Sequence, residues 1–177
     1  MAEPTKRGLE VINTPKVLVI SKVISAKPGV LEVECDDGKS YKRSGGTLSW
    51  RTHNPGNLKF GKFALSLGAV GKANEDSAVF PTLHIGKRAM RTLLFGEHSK
   101  YLNLTLKKAI SVYAPEYDGN DPERYAQFIS SKAKISILKT LNSLSTAESD
   151  LMIEAMIKFE GFKSGTVTSM EDKNEKA

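Results

Sequence analysis

The property of this chain that most restricts its fold is a change of apolar period along its length. Up to Arg43, apolar residues come in β-branched runs or alternate with charges; beyond Pro81 they recur three and four positions apart. Residues 16–24 are rich in Val and Ile and read as a strand. Leu31, Val33 and Cys35 alternate with Glu32 and Glu34, the period of a half-buried strand. Asp36-Asp37-Gly38 supplies a tight turn, because glycine tolerates the positive φ of hairpin turns, and residues 40–43 form the return strand. From Gly45 to Gly71 the chain is loop-rich, with Pro55 in its middle.

The helical half carries its own start and stop signals. Thr82 can cap a helix with Ile85, Ala89 and Leu93 on one face and Gly96 as its stop. Thr105 caps a second, with Leu106, Ala109, Ile110 and Tyr113 inward and Pro115 ending it. Asp121-Pro122-Glu123 joins an N-cap acid to a proline at the first helical position, ahead of Tyr125, Phe128 and Ile129. Ser145 and Glu148 have capping-box spacing before a helix through Met152, Ala155, Met156 and Phe159 that stops at Gly161. The pattern predicts an α+β fold. A small N-terminal antiparallel β-hairpin region spans residues 1–43, a mainly helical domain follows over 44–166, and a polar tail over 167–177 is expected to be disordered.

Bulk properties restrict the function classes. At 177 residues, 40% hydrophobic and 26% charged, the chain can bury a core without metal or disulfide staples. Its single cysteine, Cys35, can form no internal disulfide and sets no Cys-based zinc site. The net charge of +6 favours polyanions: nucleic acid, anionic lipid or the acid-bearing bacterial wall. The apolar stretch 17–23 is broken by Ser21 and Lys22, so no membrane insertion is expected. Residues 1–7 lead into no apolar segment, so the expectation is synthesis in the cytoplasm without a signal peptide, and export by some other machine.

Three motifs can carry chemistry. The first is the run from Trp50 to Leu58, in which Asn54-Pro55-Gly56 forces a turn. Arg51, Asn54 and Asn57 then place a guanidinium and two amides on one loop, groups that bond sugar hydroxyls, acetamides and carboxylates. Trp50 is a candidate sugar platform and His53 a candidate acid/base group. The same asparagines also fit local Asx turns that satisfy only backbone groups. The second motif ends in Glu160, which borders the apolar face of its helix and sits against the negative end of the helix dipole. Both effects favour the protonated carboxyl that a general acid needs. A solvated glutamate lying over Phe159 is the plainer alternative. The third is the stretch from Tyr113 to Asp121, where Glu116, Asp118 or Asp121 could supply a second carboxylate, Asp121 being most simply an N-cap. His53, His84 and His98 lack metal-ligand spacing, and no P-loop, dinucleotide fingerprint or nucleophile elbow is present; neither metal nor cofactor is expected.

The run Trp50-Arg51-Thr52-His53-Asn54-Pro55-Gly56-Asn57-Leu58 resembles a bacterial and phage family with an Arg-Asn-Asn-Asn-Pro-Gly-Asn-Ile loop. Its members are described as phage structural proteins or occur with type VI secretion components. Further matches follow in order: Phe63-Ala64 with Gly68, the run from Ala78 to Pro81, Leu104-Thr105, Tyr113-Ala114-Pro115 and Asn120-Asp121. Thr52 and His53 stand where that family has asparagines, so no role carries over to them. Lys158-Phe159-Glu160-Gly161-Phe162 also resembles the glutamate-bearing helix end of phage-type lysozymes, in permuted order.

These readings join in one expectation: a lysozyme-like domain that hydrolyses the glycan strands of peptidoglycan as an antibacterial effector reaching the target periplasm. Glu160 would protonate the leaving oxygen, Asp121 or Asp118 would be the second carboxylate, and Arg51, Asn54, Asn57, Trp50 and His53 would hold substrate. An immunity protein and a secretion-apparatus component are the expected further partners. Amidase or peptidase cleavage of the same polymer, and a non-catalytic wall-binding or virion module, are the alternatives. Nucleic acid is not favoured, since the aromatic-basic interleaving of single-strand platforms is missing.

Overall fold

A computed structural model describes residues 16–170. The elements run β1 (Ile20–Lys27), β2 (Val30–Cys35), β3 (Ser40–Ser44), α1 (Leu48–Arg51), α2 (Lys62–Ser66), β4 (Gly71–Lys72), β5 (Ala78–Val79), α3 (Leu83–Phe95), α4 (Leu106–Tyr113), α5 (Pro122–Ala133), α6 (Thr146–Phe159) and β6 (Thr166–Met170). The fold is α+β, as the change of period predicts. No described helix is long and apolar enough to cross a membrane.

The larger sheet is antiparallel, in the order β1-β2-β3-β6. Its inner face comes from the alternation read in the sequence: Leu31, Val33 and Cys35 are buried and pack with Ile20 and Val79. The fourth strand is a departure. Residues 167–170 were expected to belong to a disordered tail, yet they pair with β3, from Ser40 opposite Met170 to Ser44 opposite Thr166. A mostly exposed edge strand needs only its backbone ladder, so Thr-Val-Thr-Ser-Met carries little apolar alternation to announce it. The rest of that tail, and the lead-in over 1–15, lie outside the described residues.

All four long helices start where their caps predict. Thr82, Thr105, Asp121 and Ser145 each accept a hydrogen bond from the backbone N–H three residues on, and Glu148 returns the bond to Ser145. Their apolar faces merge in one core around Met90, Leu94, Ile110, Ile129, Met152 and Met156. The loop-rich stretch condenses into α1, α2 and the β4–β5 ribbon. A small cluster of Leu58, Ala64, Phe80 and Ala89 seats this stretch on α3. The approach there is close: a Cβ on Gly86 of α3 would lie 1.7 Å from the His53 carbonyl oxygen, so only glycine lets the Asn-Pro-Gly loop lie on the helix.

Candidate functional site

The loop residues expected to grip a sugar mostly face inward. Asn54 is fully buried. Its Nδ2 donates to the carbonyls of Leu58 at 2.8 Å and Ala78 at 3.0 Å and to Ser77 Oγ at 3.2 Å, and its Oδ1 accepts from Leu58 N at 3.0 Å. The amide is saturated by the protein, the local Asx alternative in an extended form. Arg51 is buried as well, its Nη1 donating to the carbonyls of Gly45 and Gly46 at 2.8 and 2.9 Å. Arg43 donates to the carbonyls of Arg51 and Trp50 and places its guanidinium 4.3 Å from the centre of the Trp50 ring. That cation–π contact occupies a face of the indole that a sugar would need.

His53 is half-buried, with Nδ1 3.1 Å from the Phe80 carbonyl oxygen. Burial first, and Arg43 second, push its pKa down to about 4 against the opposing pull of the Phe80 and Pro81 backbone. The ring is therefore neutral near pH 7. Trp50, Arg51, His53 and Asn54 thus build the loop, and none of them lines the cleft described next. They correct the expectation of a ligand-facing cluster: the chain satisfies its own buried polar groups with the side chains that looked free.

Asn57 differs. It is exposed, with φ at +50°, and lines a cleft with two adjoining lobes. One lobe, of about 430 Å³, is walled by Phe63, Leu93, Tyr101, Tyr113 and Ala114. The other, of about 520 Å³, is polar, with Thr47, Ser49, Ser77, Glu75 and Asp118. Asn57, Lys59, Asn120 and Glu160 line both lobes and so form the waist between them. Each lobe has the size of a small-molecule site.

Glu160 reaches that waist as the C-cap of α6, its backbone N–H donating to the Met156 carbonyl. It is exposed, where partial burial was expected, because the helix ends at Phe159 and the chain turns away through Gly161 with φ at +74°. The segment after it is stitched to the corner before α1: Thr47 N donates to the Lys163 carbonyl, and Lys163 N donates to Thr47 Oγ1. Helix and stitch hold Glu160 from both sides. Lys59 is held too, its Nζ donating to the Glu75 carbonyl at 2.7 Å.

Of the other acids, Asp118 lies in the polar lobe. Asp121 accepts from Arg124 N at 3.0 Å as the α5 cap and does not line the cleft. Tyr113 ties the two halves together: its hydroxyl donates to the Gly56 carbonyl at 3.0 Å, and its ring packs edge-on against Tyr101 and Tyr125. Burial, then Glu160, then Tyr101 raise its pKa, so the phenol keeps its proton.

Lys59, Phe63, Tyr101, Tyr113 and Asn120 are site residues that reasoning from pattern did not single out for binding. Tyr113 and Asn120 lie in the acid- and tyrosine-rich stretch already flagged, and Lys59 follows the flagged turn. Tyr101 carried no signal. Among the described residues no group of three or more His, Cys, Asp or Glu side chains could hold a metal ion. Chemically, the waist sets a carboxyl group among two amides and an ammonium, with the Tyr101 and Tyr113 rings in the wall of one lobe, a set able to hydrogen-bond a polar ligand and exchange a proton with it. No family model matches the chain, and a search of curated proteins finds none similar to it.

Proposed function

We propose that the protein hydrolyses the glycan strand of peptidoglycan, with Glu160 as proton donor to the leaving glycosidic oxygen. The observation that carries this reading is the position of Glu160 at the waist of a two-lobed cleft, where a chain laid through both lobes presents an inter-sugar bond to the carboxyl group. Apolar ring faces suit the aromatic lobe of Phe63, Tyr101 and Tyr113, while hydroxyl and amide groups suit the polar one. Asn57 and Asn120 bond an acetamido group, and the Lys59 ammonium meets a lactyl or peptide carboxylate. Asp118 replaces Asp121 as the second carboxylate, activating water or steadying the oxocarbenium ion. The charge of +6 supports a wall-directed effector, delivered by a secretion machine or phage particle and kept in check by an immunity protein.

The test is turbidity loss of purified peptidoglycan, with mass spectrometry of the fragments. Wild type is expected to release glycan fragments with new reducing ends. Glu160→Gln should be slower by about 10²–10⁴-fold, the usual worth of a general acid. Fragments cut in the peptide stem would overturn the glycosidase in favour of an amidase or peptidase. Binding to the wall without any cutting would make the protein a non-catalytic module.

A further inference from the structure

The mechanism above leaves one buried polar group unused. The Tyr125 hydroxyl is shielded from solvent and completes no hydrogen bond of full geometry among the described residues, although it comes close enough to the Glu160 side chain for that group to act on it as an acceptor. Burying a hydroxyl without a partner is unfavourable, so such a group calls for a reason. The packing around it supplies one. The Phe159 ring stacks on Tyr125 with centroids 4.0 Å apart and planes 11° from parallel. The next residue is Glu160, so the stack fixes the end of α6 against Tyr125, and the Glu160 side chain acts on the Tyr125 hydroxyl. Tyr113 packs edge-on at 6.4 Å from the other side.

From this geometry we infer that Tyr125 is the positioning residue for Glu160, its hydroxyl donating to one carboxyl oxygen and leaving the other turned toward the cleft. The inference rests on the reading of Glu160 as proton donor. Glu160 is exposed in the free protein; when substrate fills the cleft and excludes solvent from the carboxyl group, the shielded phenol is the donor at hand. The bond grows stronger as Glu160 gives up its proton, because a carboxylate accepts more strongly than a carboxylic acid. Burial, then Tyr113, then Glu160 through its charge and as a hydrogen-bond acceptor hold the Tyr125 pKa far above its ordinary value, so the phenol stays a donor throughout. The charged and titratable groups around the carboxyl are Tyr125 from α5, Tyr113 from α4, Tyr101 from the segment before α4, Lys59 and Glu75 from the loops around α2 and β5, and Asp118 from the turn before α5.

The experiment compares wild type with Tyr125→Phe in three measurements. Carbon-13 carboxyl NMR of Glu160 in the free protein and with a bound, uncleaved glycan fragment is expected to show a higher titration midpoint in Tyr125→Phe when the fragment is bound. Kinetics are expected to show kcat lower by about tenfold with KM nearly unchanged, one hydrogen bond's effect on the transition state. Urea unfolding is expected to show stability equal to or above that of wild type, since an unpartnered hydroxyl has been removed. Identical Glu160 midpoints in the two bound proteins would overturn the inference. So would a marked loss of stability, because the hydroxyl would then already serve the fold. Inactivity of wild type toward peptidoglycan sinks the hydrolase reading instead, while the midpoint with bound fragment still decides whether Tyr125 acts on Glu160.

Discussion

Asn54 and Asn57 are the same residue type, three positions apart in one turn, yet one is buried with its amide saturated and the other faces the cleft. Sequence alone could flag both and separate neither, because the difference lies in what β5 and Ser77 bring from twenty residues downstream. Their substitutions should separate cleanly. Asn54→Ala takes from the Leu58 amide and the Ala78 carbonyl the bonds that Asn54 gives them in the interior, and is expected to cost about 3 kcal/mol in urea unfolding. Asn57→Gly keeps the left-handed backbone, is expected to leave stability within about 0.5 kcal/mol, and should raise KM several-fold.

His53 makes the same point through pH. Its folded pKa of about 4 lies below the ordinary value of 6.5, so between those values the unfolded chain takes up a proton that the native ring refuses. Its contribution is thus complete above pH 6.5 and fades as pH falls toward 4, by up to about 3 kcal/mol. Asn tolerates the φ of +52° at this position, so His53→Asn is expected to flatten the stability profile over that range. An unchanged slope in urea unfolding across the same pH values would contradict the assigned burial.

At the scale of elements, local chemistry was legible and distant pairing was not. Thr82, Thr105, Asp121 and Ser145 announce their helices because a cap is settled within three residues. The pairing of β6 with β3 joins segments more than a hundred residues apart, and neither strand names its partner. This pairing matters to the site, since the stitch between Thr47 and Lys163 fixes the segment just after Glu160. Gly46 sits at that seam with φ at +61°, and a Cβ there would lie 2.5 Å from the Lys163 carbonyl oxygen. Gly46→Ala is therefore expected to cost about 1–3 kcal/mol and to lower kcat without touching a cleft residue. If Gly46→Ala kept full activity despite that loss of stability, the seam would have no part in placing Glu160.

At the scale of the whole molecule, the net charge of +6 should act on how substrate arrives. Lys59 is the cation among the waist residues, beside Glu160 and near Glu75 and Asp118, so the cleft itself holds more acid than base. Local attraction there cannot account for capture of an acidic polymer. The surplus cations are spread over the rest of the surface, where their combined field reaches beyond the cleft and is screened by salt. The Debye length shrinks from about 30 Å at 0.01 M salt to about 8 Å at 0.15 M. Raising salt across that range is thus expected to lower kcat/KM on peptidoglycan several-fold and to leave kcat in place, since chemistry at the waist works at shorter range. An uncharged acetamido-sugar oligomer should show no such dependence. A salt effect of equal size on both substrates would mean that the charge serves the protein's own solubility and not the wall.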